Sequence, residues 1–269
     1  MLACFDKVIN VRFVAESGPQ VFALCSTDIG NGPLNVLIDS WPKWPDNPAS
    51  APIAICDRKI ELAGTVIDCA AASRWNPVPD WEAIRLAHGA VASPKLCAAA
   101  VAYASSSPLL AWVCGARGLP PEFSRGLSQL DLWSHSCARA DLFSAAASLA
   151  GLGGGLTPAG DDFLCGLMLG IRSTMPAPSA LCSIVANTAA PLTTSLSAAF
   201  LHSAARGEVN AVWLEFLCEL GRAPAEAQLK SLVRNVTAVG YSSGADMLAG
   251  YLWLCRVFAN DHCGTGHCA

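Results

Sequence analysis

The chain has 269 residues, of which 53% are hydrophobic and only 14% charged. A formal net charge of −4 with no Lys/Arg cluster excludes a nucleic-acid footprint, and the apolar excess predicts a large buried core. The 13 scattered cysteines form no C-x-x-C pair, which excludes a zinc ribbon and a thioredoxin motif and points to free, mostly buried thiols in the cytoplasm.

Residues 1 to about 75 read as a β-rich domain. Val8–Val14 and Val21–Cys25 are β-branched and aromatic runs, and Ser17-Gly18-Pro19 between them is a hairpin signal. Leu34–Ile38, Pro52–Cys56 and Ile60–Ile67 read as further strands, and Trp41–Pro48 as a proline-stiffened loop. Five or six short strands predict a small barrel or sandwich. The N-terminus is read as lacking a basic and apolar signal segment.

From residue 76 to 269 alanine and leucine dominate, and the spacing predicts a mainly α-helical domain. The whole is thus α+β. Asp80 is placed to cap a helix through Ala87. Further helices are expected over Pro94–Ala104, Leu109–Ala116, Ser128–Leu149, Ser179–Ala189, from Pro191 to Ala205, over Val209–Leu220 and over Pro224–Val239. The uncharged run Leu96–Ala116 is broken by Ser105-Ser106-Ser107-Pro108, which argues for two helices and against a membrane span.

Gly151-Leu152-Gly153-Gly154-Gly155-Leu156-Thr157-Pro158-Ala159-Gly160-Asp161-Asp162 reads as a flexible loop feeding a helix. Thr157 is a candidate N-cap and Pro158 fits the first helical position. Asp161 and Asp162 would lie in the first turn, which favours carboxylates. Capping does not explain Gly153, Gly154, Gly155 or the second aspartate. Glycine amides at a helix N-terminus can bind an anionic group, so the stretch is a candidate ligand site. No G-K-[ST] step makes it a P-loop, and no clear strand precedes it as in a dinucleotide fingerprint.

Tyr241–Gly250 repeats the pattern G-x-D-x-L-x-G, with Gly244, Asp246, Leu248 and Gly250 matching Gly160, Asp162, Leu164 and Gly166. Such similarity suggests two units related by a pseudo-twofold, bringing both helix starts to one cleft. Between them, Thr193-Thr194-Ser195-Leu196-Ser197 is hydroxyl-rich, and Thr194 or Ser195 is a candidate substrate contact. The tail Asp261–Cys268 holds two His and two Cys, a set better explained as a chain terminus than as a zinc site. His88 and His135 read as structural. No metal and no cofactor is expected.

Gly151–Gly166, the Thr193–Glu208 segment with its Ala204-Ala205-x-Gly207-Glu208, and Val239–Gly250 together resemble the AllH-type family, subunits of oxamate carbamoyltransferase. The resemblance implies conversion of oxalurate and phosphate to oxamate and carbamoyl phosphate in purine (allantoin) breakdown, alongside FdrA-like partner subunits. The glycine loop and helix start suit that chemistry, with Asp161 and Asp162 as the catalytic candidates. Gly153, Gly154, Gly155, Thr157, Thr194, Ser195, Ser243 and Asp246 would hold a small anionic substrate: phosphate, carbamoyl phosphate or a ureido acid. No membrane partner is expected, and a homo-oligomer is possible. Tyr241 departs from the usual His of the motif, and Ala159 from the usual Ser. The alternative is a non-catalytic assembly or metabolite-sensing subunit of an FdrA-type complex.

Overall fold

A computed structural model describes residues 2–15, 18–44, 52–88, 93–116 and 118–261. It divides into two compact units, Met1–Pro77 and Val78–Ala269.

The first unit carries two open sheets. β1 (Ala3–Phe5), β2 (Val8–Ala15) and β3 (Gly18–Ser26) pair antiparallel, and β4 (Asn35–Ile38) runs parallel to β3. β5 (Ile53–Cys56), β6 (Lys59–Leu62) and β7 (Thr65–Asp68) form a separate antiparallel meander. Alternation puts Ile9, Val11, Leu24 and Ile38 of the first sheet and Ile60 and Leu62 of the second into one buried cluster. The sheets share a core but neither closes, so the barrel expectation is corrected. The expected strand Ile60–Ile67 is two strands, because Ala63 and Gly64 (φ 51° and 77°) form a tight turn of the hairpin-favouring hand. Ser17 of the hairpin signal, and residues 45–48 of the proline loop, lie outside the described residues.

The second unit is helical: α1 (Trp81–His88), α2 (Ser93–Val101), α3 (Pro108–Val113), α4 (Pro121–Ser136), α5 (Arg139–Leu149), α6 (Ala159–Thr174), α7 (Pro178–Ala189), α8 (Ser195–Arg206), α9 (Ala211–Leu220), α10 (Glu226–Thr237) and α11 (Ser243–Asp261). The Asp80 carboxylate accepts from Ala83 N at 3.0 Å and caps α1 as expected. The Ser105–Pro108 break is real: α2 and α3 are separate, and Ser107 caps the second. Among the described residues no helix is long and apolar enough to cross a membrane.

Two expected helices differ. Ser128–Leu149 is split between α4 and α5, because Cys137 adopts left-handed angles and the Ser136 hydroxyl takes the Ala138 N–H out of the helical ladder. The helix expected from Pro191 begins at Ser195. Ala190–Leu192 is a 3₁₀ turn, and Thr194 is the N-cap, its hydroxyl accepting from Ser197 N at 3.1 Å.

α6 is the axis of the unit. It is buried from Gly160 to Ser173, so its apolar residues face the core on every side. Its closest partner is α11. A Cβ on Gly166 would stand inside contact distance of the Met247 carbonyl oxygen, and one on Gly250 inside that of Phe163. Only glycine at both positions lets the two main chains touch. The contact is reciprocal: Gly166 also faces Tyr251 N and Gly250 faces Leu167 N.

Candidate functional site

That reciprocity extends to both helix starts and brings the two Gly-x-Asp motifs together. Gly160 packs against the Leu149 carbonyl at the end of α5, as Gly244 packs against the Val236 carbonyl near the end of α10. Gly160 N donates to Leu152 O at 2.9 Å, and Gly244 N donates to Val239 O at 3.0 Å. The two halves are joined directly by the Thr157 and Ser243 hydroxyls, 2.9 Å apart. Thr157 is therefore not the cap of α6. The N-cap is Pro158, whose side chain makes no capping bond, and the Thr157 hydroxyl is turned across to the other motif.

The two adjacent aspartates do different things. Asp161 is wholly buried and both its oxygens are occupied. Oδ1 accepts from Gly151 N at 2.9 Å, and Oδ2 accepts from the Thr193 hydroxyl and from Ser197 Oγ at 2.8 Å. It ties the glycine loop to the start of α8. The Thr194 hydroxyl ties the same loop again by donating to Leu156 O. Ser195 is half-buried in the first turn of α8. Gly153, Gly154 and Gly155 are exposed, and the latter two face open space.

Asp162 is 8% exposed, and its Oδ2 is buried without a hydrogen-bond partner among the described residues. Burial pushes its carboxyl up to about 7. The hydroxyls of Ser243 and Thr157 pull it down, and the nearby charges of Asp246 and Asp161 push it up. Asp246, its counterpart on α11, is 1% exposed. Its Oδ1 accepts from the Ser107 hydroxyl, while its Oδ2 is again buried and unpartnered. Burial raises its pKa, against the pull of Ser107 and Ser242. One pair of equivalent carboxylates thus offers two free, buried oxygens, one of them on a group that can hold or release a proton near neutral pH.

Thr157, Asp162, Ser243 and Asp246 come together as the sequence suggested. Ser107 escaped it, although the Ser107-Pro108 pair is a helix-start signature. Thr193 and Ser197 were visible only as members of a hydroxyl-rich run. Tyr241, at the position of the usual His, is fully exposed. Burial, and then the charge of Arg206, lower the pKa of His202. The thiol of Cys165, one turn into α6, is raised well above its usual value by burial and then by Asp162 and Asp161. Among the described residues no three His, Cys, Asp or Glu side chains are grouped to hold a metal, and the His/Cys positions 262–268 of the tail lie outside the described residues.

Residues 149–255 match the family model described as oxamate carbamoyltransferase subunit AllH. The matched stretch contains both Gly-x-Asp motifs and the Thr193–Glu208 segment, so the chain is similar to that family over the residues that build this site apart from Ser107. No curated protein and no solved structure matches the chain.

Proposed function

We propose, from the match of residues 149–255 to an oxamate carbamoyltransferase subunit, that this chain is the part of a cytoplasmic carbamoyl-transferring complex that converts oxalurate and phosphate to oxamate and carbamoyl phosphate in purine breakdown. FdrA-like subunits are its proposed partners. The observation that carries the reading is Asp162: a buried carboxyl with one free oxygen and a pKa of about 7, seated where the two motifs meet.

The reaction needs a proton carrier. A phosphate oxygen attacks the terminal carbamoyl carbon of oxalurate, a C–O bond forms, and the bond to the inner nitrogen breaks. The proton on the attacking hydrogen phosphate has to reach that nitrogen, which leaves as the amide of oxamate. Asp162 takes the proton from the phosphate and returns it to the nitrogen, a task best done by a group whose pKa lies near the working pH. Asp161 is unsuited to it, since both its oxygens are engaged in holding the loop. The exposed glycine loop beside the start of α6 is the proposed seat of the phosphate.

The test is Asp162→Asn in the assembled complex. Phosphate-dependent formation of carbamoyl phosphate should fall about 10³-fold, within the range general acid–base groups supply, while the complex still co-purifies. The exposure of Gly153–Gly155 and Tyr241 favours a second reading, a surface for assembly or metabolite sensing. On that reading the variant loses the complex or the metabolite response, with no specific loss of turnover.

A further inference from the structure

We propose that Asp246, held in place by Ser107, accepts from the amino group of the substrate's carbamoyl moiety and so sets which end of the substrate faces the glycine loop. This rests on the reading that the site handles a carbamoyl group.

The clamp on Asp246 comes from a third helix, outside both motif copies. Ser107 is 1% exposed and is the N-cap of α3. Its Oγ accepts from Leu110 N at 3.1 Å, so its single proton is left for Asp246 Oδ1. With Oδ1 fixed, the carboxylate cannot turn freely, and Oδ2 points in a set direction. A buried carboxylate oxygen without a donor is costly and rare. Here two occur at equivalent positions, on Asp162 and Asp246.

The missing donor has to be a group that brings N–H or O–H. Phosphate and the substrate carboxylate are repelled by the Asp246 carboxylate, so they belong on the glycine-loop side, where the phosphate can reach Asp162. A divalent cation held between the two carboxylates and a phosphate is the competing occupant, and it would leave binding indifferent to methylation of the terminal nitrogen. An unsubstituted carbamoyl end fits: it is neutral, planar and carries two N–H donors. Once Asp162 is given to proton transfer, the acceptor left for that amino group is Asp246 Oδ2. The pair therefore orients the substrate, neutral amino end toward Asp246 and anionic ends away from it.

Calorimetric titration of the assembled complex with oxalurate, with its terminal N,N-dimethyl derivative and with inorganic phosphate tests this. The wild type should bind oxalurate about 30-fold tighter than the dimethyl compound, the scale of a lost hydrogen bond that leaves a buried acceptor unpaired. Asp246→Asn should erase that preference while binding phosphate as well as or better than the wild type. Ser107→Ala, which keeps both carboxylates, should reduce the preference about fivefold, a partial loss of the same bond. Equal binding of oxalurate and its dimethyl derivative by the wild type overturns the assignment without any variant. So does an Asp246→Asn complex that keeps the preference, or one that loses oxalurate and phosphate alike. A wild-type complex that binds inorganic phosphate but not oxalurate removes the carbamoyl reading itself, a separate failure.

Discussion

The turn that leads into α6 and the turn that leads into α11 share a skeleton and differ in their furnishing. Both carry a glycine packed on a carbonyl of the preceding helix, an aspartate two residues later with a free buried oxygen, and a second glycine at the helix crossing. The first has three additional residues between its anchoring N–H bond and acceptor, Leu152 to Gly160 against Val239 to Gly244. It also has Asp161 where the second has Ala245. What the copies share holds the helices together and places the carboxylates. What only the first possesses, a long exposed glycine loop tied down by Asp161, is the part free to be specialised for a ligand.

The largest effect should come from breaking the shared skeleton. Gly166→Ala and Gly250→Ala each drive a methyl into main chain that cannot repack, and each should cost above about 4 kcal/mol in urea unfolding, the range diagnostic of such a defect. Unequal costs would argue against the equivalence of the two copies.

Asp162 gives the next effect, through pH. Its folded-state pKa is raised to about 7 from an ordinary carboxyl value. Between about pH 4 and pH 7 the folded chain thus holds a proton that the unfolded chain has released, and stability falls as pH rises through that window. Three pK units correspond to at most ~4 kcal/mol. Asp162→Asn should flatten this part of the pH–stability curve and leave the protein as stable as, or more stable than, the wild type at pH 8. Asp161→Asn should do the opposite and destabilise by about 3 kcal/mol, since an amide cannot accept from three donors as a carboxylate does. Adjacent aspartates with opposite signs in the same melt would separate the latch from the reactive group.

Removing Gly153–Gly155 makes the first turn as long as the second. The fold should survive with a change of about 1 kcal/mol, the small cost expected of a surface-loop change, while binding of inorganic phosphate in calorimetry is lost. The smallest effect is expected at Tyr241. Its side chain is fully exposed, so Tyr241→His should move stability by less than about 0.5 kcal/mol, and turnover of the assembled complex should stay within about twofold if proton transfer belongs to Asp162.

The sequence was most readable where the chain's own chemistry decides the outcome. Asp80 and the Ser107-Pro108 break announce helix starts through local hydrogen bonding, and the second Gly-x-Asp motif announces the pairing of α6 with α11. It was least readable where a distant group competes for a side chain. Thr157 has every mark of a cap, yet its hydroxyl is drawn to Ser243, 86 residues on. Asp161 and Asp162 are indistinguishable as neighbours in a sequence. Their roles diverge only because Gly151, Thr193 and Ser197 converge on the first and leave an oxygen of the second alone. Cys137 carries no local sign of the left-handed turn that splits α4 from α5. Parallel pairing of β4 with β3 and the open edges of both sheets likewise depend on long-range contacts that alternation alone does not fix.

Main chain meets main chain where Gly166 and Gly250 cross. The spacing of the two helices is therefore set by the thickness of a polypeptide backbone, a length that mutation cannot alter while those glycines stay. Leucines, valines and alanines elsewhere in the core are free to drift in size over evolutionary time, each exchange absorbed by its neighbours. The two carboxylates, each four residues before its glycine, ride on a distance that such drift leaves untouched.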